Sequence, residues 1–371
     1  MTISNQPVVC NVKAARKEKG LSQSELAEMV GIKRQAIYDI ESGRYVPNTH
    51  VALLLAKVLG CKVEDLFSID LRPCTRSVTL ADDAATTTPR VSLVKVRGQL
   101  IAYPLDDKWM TSEGFQSADG LLQDDRRVRL LHGEEILDKK ALVLGCDPAF
   151  AILSSHVSRS ASEARLQCRF ASSLSALKGL SRGFAHLAGS HLHNTSEVES
   201  NLELARTALG GMKAKVVAFT SFEEGLMVSS GNPHGIEGIG DLAAGTLRFV
   251  NREQGAALRM LLDDHLKRLG INPWAIDGYG RLVVSHNEGA RMVSFGLADA
   301  ALGLRAVAME HGLGFVPITT ARCDLVIPHD LIEHPAVRIV MDALQTRNLR
   351  EELSSLPGYD PSRIGMLIGE V

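Results

Sequence analysis

The chain has 371 residues, 41 basic and 43 acidic side chains, a formal net charge of −2, and 45% hydrophobic residues. This is the composition of a soluble globular protein of two or three domains with sizeable cores, and its balance argues against a nonspecific polycation. No run of about 18 apolar residues offers a membrane-spanning helix, and the opening MTISNQPVVCNVKAARK lacks the basic-then-apolar order of a signal peptide.

Six cysteines (Cys10, Cys61, Cys74, Cys146, Cys168 and Cys323) are scattered without a C-x-x-C pair. They are expected to be reduced thiols in a cytoplasmic protein.

The first predicted helix, residues 12–19, is short and basic on one side. In LSQSELAEMVGIKRQAIYDIESG, residues 21–43, Ser22 is an N-cap and Glu25 stands three residues on, the spacing of a capping box. Leu26, Met29 and Val30 fall at helical spacing, and Gly31 is placed to end that helix in a left-handed conformation. A second helix is predicted over residues 33–42, with Ile37 and Ile40 inward and Arg34, Gln35, Tyr38 and Asp39 off that face. Asn48 then caps a helix ending at Leu59-Gly60, with Val51, Leu54, Leu55 and Val58 inward, and residues 64–67 close the unit. Helix, glycine turn and a helix with a long polar face is a helix-turn-helix layout, in a unit expected to be all-α with five helices.

Residues 8–68 resemble the phage-repressor (Cro/C1, or XRE) class of DNA-binding domain, through the Ser-Gln opening, the Gly turn, the Glu-Ser-Gly end, Pro47 and the closing Val-Glu-Asp-Leu-Phe. The resemblance implies that Arg34, Gln35 and Tyr38 face bases, with Lys33 opening the recognition helix and Gln23 touching a phosphate; Asp39 and Ser42 complete the DNA-facing set. Independently, Arg pairs bidentately with guanine and Gln with adenine in the major groove. One such unit buries only roughly 600–1,000 Å² on DNA, so a homodimer on two half-sites of double-stranded DNA is expected.

Beyond this unit (residues 1–70), residues 71–90 are expected to be a linker, rich in Thr, Ala, Asp and Pro without periodicity. Residues 91–140 are expected to form a small β-rich connecting segment: VSLVKVRGQLIAYPL alternates around Gly98, and RRVRLL adds a strand. From residue 141 strand and helix patterns alternate, as in a parallel sheet covered by helices. The pattern repeats after Gly240, giving two lobes with a cleft between them. ADAALGLRAVAMEHG is expected to be helical, and Ser173 to cap the helix after LQCRFAS.

In such sheets ligands sit beyond the carboxyl ends of the strands. That rule selects residues 145–148, 171–173, 189–191, 251–255 and 285–288, several of which run into helices whose free N–H groups attract anions. The candidate ligand-binding residues are Cys146, Asp147, Ser172, Ser173, His191, Asn251, Arg252, Gln254, Gly255, Asn287 and Asp299. Asp147 and Asp299, if inward, would repel a dianion and favour an organic ligand with an amine or hydroxyls. The pair His191 and His193 has no carboxylate or cysteine at metal-ligand spacing, so no metal is expected. No G-x-S-x-G, P-loop, H-E-x-x-H or C-x-x-C motif occurs, so neither an enzyme nor a required cofactor is expected.

GCDPAFAILSSHV, SSLSALKGLSRGFAHLAGSHL, LRFVNREQGAALRMLLD, SHNEGARMVSFGLADAALGLRAVAMEHGLGFVPI and LPGYDPSRIG resemble the periplasmic-binding-protein-like (type II) domain related to molybdate-binding proteins. The resemblance implies a hinge-closing binder over residues 141–371, with lobe I at about 141–216 plus 325–371 and lobe II at about 229–316. It suggests molybdate or tungstate as effector, with a small organic metabolite as the alternative. The whole reads as a ligand-responsive transcriptional regulator. Its rivals are a molybdenum-cofactor or oxyanion-handling protein, and a DNA-binding scaffold whose second domain only dimerises.

Overall fold

The computed structural model describes residues 8–69, 75–81, 88–106, 109, 115–161, 164–192 and 200–371. It divides into two compact units, Met1–Cys74 and Thr75–Val371.

The first unit runs β1 (Val8–Cys10), α1 (Val12–Glu18), α2 (Gln23–Val30), α3 (Arg34–Glu41), α4 (Thr49–Leu59), α5 (Val63–Leu66) and β2 (Phe67–Ile69). The capping box forms: the Glu25 amide donates to Ser22 Oγ at 3.2 Å and the Ser22 amide to the Glu25 carboxylate at 2.7 Å. Gly31 takes φ +75° and turns the chain into α3. Val12, Leu26, Ile37, Ile40, Leu55 and Leu66 are buried at the centre, each contributing roughly 1.5–3 kcal/mol of apolar burial. Two expectations need correction. Met29 is 57% exposed, and Ala27 takes its place in the core. The unit is also not purely helical, because β1 pairs antiparallel with β2, Cys10 opposite Phe67, and ties the two ends together.

Glu41 joins three helices of this unit. It accepts from Arg16 Nε on α1 at 2.5 Å and from Gln23 Nε2 on α2 at 2.8 Å. Burial alone would raise its carboxyl pKa, but the bonds from Arg16 and Gln23 outweigh it and hold the group below the ordinary glutamate value of 4.5. A depressed folded pKa adds stability above the unfolded value, and that stability is lost as pH falls through the folded value. The melting temperature of this unit should therefore drop below about pH 4.5, and Glu41→Gln should flatten that drop. An equal acid slope in the variant would remove Glu41 as its source.

The second unit begins with a six-stranded sheet of β3 (Thr75–Ser77), β4 (Thr79–Leu80), β5 (Arg90–Val96), β6 (Gln99–Pro104), β7 (Gly120–Asp124) and β8 (Arg127–Leu130), in the order β3-β8-β7-β5-β6-β4. The expected linker thus contributes two edge strands, and its remaining stretches at 71–74 and 82–87 lie outside the described residues. Val94, Val96, Ile101, Tyr103 and Trp109 share a core with Leu142, Leu144, Ala176 and Leu177, so this sheet is packed onto lobe I.

The rest of the unit runs β9 (Lys140–Gly145), α6 (Phe150–Ser160), β10 (Arg165–Phe170), α7 (Ser173–Ser181), β11 (Leu187–Leu192), α8 (Ser200–Leu209), β12 (Ala214–Val228), β13 (Phe249–Arg252), α9 (Ala257–Leu269), β14 (Leu282–Val283), α10 (His286–Ser294), β15 (Ala300–Leu304), α11 (Arg305–Glu310), β16 (Gly314–Pro328), α12 (Pro335–Leu344), α13 (Arg347–Ser354), β17 (Tyr359–Asp360) and β18 (Leu367–Glu370). The main strand path is β10-β9-β11-β16-β12-β15-β13-β14. Each lobe has a parallel set, β10-β9-β11 in one and β15-β13-β14 in the other. Between them β12 and β16 pair antiparallel along 15-residue strands common to both lobes. The sheet is therefore mixed rather than parallel. Ala300–Leu304, expected as helix, is the fully buried strand β15 beside β12.

Two irregularities mark the shared strands, between Ala218 and Thr220 and between Glu224 and Gly225. A bulge of this kind re-aims side chains. At the second one, a Cβ on Gly225 would lie 2.1 Å from the Val316 carbonyl, so only glycine permits this approach.

Candidate functional site

The carboxyl ends of the parallel strands of both lobes point into one cleft. β9 delivers Cys146, β10 delivers Phe170 and then Ser172, and β11 carries His191. From lobe II, β13 ends on Arg252, Ala256 to Leu258 open α9, and His286 opens α10. Together with Ser173 these residues enclose a cavity of about 10 Å³, room for about one water-sized centre. Cys146, Phe170 and His286 also line an outer cleft of about 830 Å³. Its walls include Ile152, Val307, Met309 and Tyr359, and Trp109 from the β-rich segment reaches it.

Arg252 dominates the electrostatics. It is 2% exposed, and burial pulls its pKa down, although guanidinium stays charged in proteins. Its hydrogen bonds go to neutral groups: Nη1 to His286 Nδ1 at 3.1 Å and Nη2 to the Val284 carbonyl at 3.3 Å. Its Nε has no partner among the described residues. The guanidinium lies 5.3 Å from the Phe170 ring centroid. Cys146 first, then Glu253, Glu224 and Glu288, act on it at longer range. Burial and the neighbouring charges of Arg252 and His191 keep His286 neutral, well below the usual histidine range. It is therefore an acceptor toward Arg252.

A second line of groups runs through His191. Its Nδ1 is 3.1 Å from Cys146 Sγ and its Nε2 is 3.2 Å from Glu224 Oε1. Burial disfavours the charged ring, but the Cys146 sulfur and the Glu224 carboxylate outweigh it, so His191 holds its proton well above the usual histidine range. Ser173 Oγ accepts from the His191 amide at 3.1 Å and donates to the His191 carbonyl at 3.0 Å. The Phe222 ring meets the imidazole edge-on at 5.4 Å. The imidazole thus meets Cys146, Glu224 and Phe222, and Ser173 fixes the backbone that carries it.

Of the expected ligand residues, Cys146, Ser172, Ser173, His191 and Arg252 come together in the cavity, and Asn287 lines the outer cleft. The hydroxyl of Ser173 is spent on the His191 backbone. Ser172, not Ser173, is the N-cap residue of α7, and its Oγ donates to Ser175 rather than to the helix.

Asp147, Asn251 and Asp299 are corrections. Asp147 accepts from Ala149, Thr220 and Tyr359, a closed structural set. Asn251 bonds the Tyr279 carbonyl and the Arg252 amide. Asp299 is paired with Arg248 at 2.7 Å. Gln254 is exposed and Gly255 carries the turn at φ +90°; neither lines the cavity. His193 lies outside the described residues. Phe170, Glu224 and His286 are additions. Among the described residues, no group of three His, Cys, Asp or Glu could hold a metal ion.

In the first unit Lys33, Arg34, Gln35, Tyr38 and Ser42 are exposed on α3 and its caps, as expected for a reading face. Gln35 Nε2 donates to Asp39 Oδ1 at 3.1 Å, and Ser42 Oγ donates to the Asp39 carbonyl. Arg44 lies over the Tyr38 ring at 5.7 Å. Gln23 differs from its expected phosphate role, because its amide is held by Glu41. Among the described residues, no helix is long and apolar enough to cross a membrane.

Comparison with known proteins agrees with this division. Residues 12–66 match the family described as helix-turn-helix. Over 60 residues, 16% of this chain and 87% of the relative, the chain is 47% identical to an uncharacterized HTH-type transcriptional regulator of Methanothermobacter thermautotrophicus. It is 30% identical over 229 residues to the uncharacterized protein YvgK of Bacillus subtilis (strain 168), covering 62% of this chain and 73% of that one. It is 36% identical over 113 residues to an uncharacterized protein in the ferredoxin 2Fe-2S gene 5′ region of Clostridium pasteurianum, covering 30% of this chain and 100% of that one. Residues 154–345, more than half of the chain and the heart of the two-lobed unit, match the family described as PBP superfamily domain, and the chain belongs to that family, with a helix-turn-helix domain ahead of it.

Proposed function

We propose that this protein is a DNA-binding transcriptional regulator whose C-terminal cleft senses a small anion without turning it over. The observation that carries the ligand half is Arg252: a buried guanidinium whose bonds go to neutral groups and whose Nε is unpartnered. Burying a charge whose hydrogen bonds all go to neutral groups costs several kcal/mol, and an anion entering beside it restores the balance. The N-termini of α7 and α9 add free N–H groups and positive dipole ends at the same place. The outer cleft, with its apolar walls, supports an organic anion, its charged head at Arg252 and its body against Ile152, Val307 and Met309. Bare molybdate or tungstate is the second reading: its oxygens would meet the same donors once the inner cavity widens beyond the room for one water.

The DNA half rests on the exposed polar face of α3 and on the helix-turn-helix match. Two copies on two half-sites are the geometry such a domain uses. The proposal places the protein in the cytoplasm, where its DNA target is. A ligand that binds one DNA-binding state about a hundredfold more tightly shifts the balance by nearly 3 kcal/mol.

A thermal-shift series on the full chain, with molybdate, tungstate, sulfate, phosphate and a panel of small carboxylates, tests the ligand half. A ligand at about a hundred times its Kd stabilises by roughly 2.7 kcal/mol. A shift with a carboxylate is the expected result. A shift with molybdate or tungstate alone replaces the organic anion by a metal oxyanion. No shift with any anion removes Arg252 as a ligand group.

A further inference from the structure

Arg252 is not the only buried reactive group in the cleft. Cys146, His191 and Glu224 stand in line, sulfur to imidazole to carboxylate, at 3.1 and 3.2 Å. They come from three separate strand positions: the end of β9, β11, and the bulge of β12. A thiol beside a base that is itself oriented by a third group is the arrangement that activates a nucleophile. The base is also held against movement, by Ser173 on its backbone and Phe222 at its edge. Cys146 is buried, at 5% exposure, yet it lines both the inner cavity and the outer cleft, so a molecule in either lies against this residue. The same cavity wall carries the partnerless Nε of Arg252. The remaining buried thiols lack this setting: Cys168 donates to the Phe150 carbonyl and its pKa is pushed up by burial, and burial likewise raises Cys323.

From this geometry we propose that Cys146, activated by His191 and Glu224, is a nucleophilic thiol that captures an electrophile carrying an anionic group. The inference rests on the reading of Arg252 as an anion site. The ligand class is an α,β-unsaturated carboxylate or a related anionic acceptor. The Cys146 proton rests on His191 Nδ1, and the Nε2–H side of that imidazolium faces Glu224. The sulfur forms a bond to the β-carbon as the carbon–carbon π bond opens. The electron pair moves to the α-carbon, which takes the proton from His191. No oxidant and no leaving group are involved, and the product is one stoichiometric thioether. The cleft thereby gains a covalent way of registering its effector.

Alkylation of the full chain tests this with two small probes of similar size, anionic iodoacetate and neutral iodoacetamide. In either case a sulfur–carbon bond forms and iodide leaves. The site of labelling is found by peptide mapping, with Cys146→Ser as control. Cys146 is expected to react first among the cysteines, and about tenfold faster with iodoacetate than with iodoacetamide, because a confined cationic wall concentrates anions. His191→Gln should slow labelling about a hundredfold, within the range of a positioned base. Glu224→Gln serves as a second variant in case His191→Gln does not fold, and should also slow it. Circular dichroism verifies that each variant is folded.

His191-dependent labelling without a preference for iodoacetate would keep the activated thiol and overturn the anionic class, and with it the reading of Arg252. Labelling of Cys146 no faster than that of Cys10 or Cys61, and equal in folded His191→Gln and Glu224→Gln, would overturn the nucleophile. Anion binding measured by thermal shift would then stand on its own.

Discussion

Arg252→Met should make the ligand-free protein more stable and abolish its response to anions. Methionine keeps most of the alkyl volume while removing a cation whose bonds go only to neutral partners. Two effects oppose each other. The variant loses the contact with Phe170 and leaves His286 Nδ1 and the Val284 carbonyl without their donor, at about 1–3 kcal/mol for an unsatisfied buried group. It is relieved of the desolvation penalty of the guanidinium, several kcal/mol per buried ion, less the attraction it loses toward Cys146, Glu253, Glu224 and Glu288. Val284 is itself exposed, so water can replace that donor. The second effect should win, raising stability by about 1–3 kcal/mol. Affinity for the effector should fall about 30-fold or more, since removing one partner of a buried charge contact costs 2–5 kcal/mol. Chemical denaturation and the anion thermal-shift series check the two halves separately. A destabilised apo protein that still binds anions would contradict both.

Arg34→Ala should weaken binding to the specific operator by about 1–3 kcal/mol, the worth of one bidentate base contact. Arg34 opens α3 and is exposed. Because its side chain is exposed, the melting temperature and the anion response should not change. Lys33→Ala should instead weaken binding about equally on all sequences and reduce its salt dependence by about one unit, as loss of a phosphate contact does. Gel-shift titrations on specific and scrambled duplexes distinguish the two. Full operator affinity in Arg34→Ala would remove α3 as the reading helix.

These two arginines differ in how legible they were in the sequence. The setting of Arg34 is local: a capping box, a glycine turn and a helix of alternating faces, all within about 20 residues. Local chemistry fixes the helices of such a unit; what it leaves open is whether Ala27 or Met29 joins Leu26 and Val30 inward, the β1–β2 pairing of distant ends and the Gln23–Glu41 contact. The ligand site depends on strands far apart in sequence. The strand-end rule found Cys146, Ser172, His191 and Arg252, but it does not say which of two neighbours faces inward. Asn251 and Arg252 are consecutive on β13, where side chains alternate between faces, and only Arg252 reaches the cavity. The same ambiguity put Asp147 beside Cys146 in the candidate set. Ala300–Leu304 escaped because alanine, glycine and leucine carry no strand signature; their burial between β12 and β13 makes the strand. Glu224 left one signal unused: an acidic residue within the apolar run of β12 must be either paired or functional when buried.

The β-rich segment was legible as strands but not in its role. Its purpose depends on Tyr103, Trp109 and Arg169. The Arg169 guanidinium lies 5.3 Å from both ring centroids and pairs with Asp106 at 2.5 Å. This docks the small sheet against the lobe I strand β10, beside the cleft mouth. No periodicity in residues 91–140 predicts that contact.

The central claim is that the cleft and the DNA-binding face are coupled. The most direct measurement is operator affinity of the full chain with and without the anion that gives the thermal shift, together with the affinity for that anion with and without operator DNA. Thermodynamic linkage requires the two factors to be equal. A common factor between about 5 and 150 is expected, and a factor of one in Arg252→Met. Operator affinity unchanged by a saturating anion would contradict it and leave a DNA-binding protein joined to an independent binder.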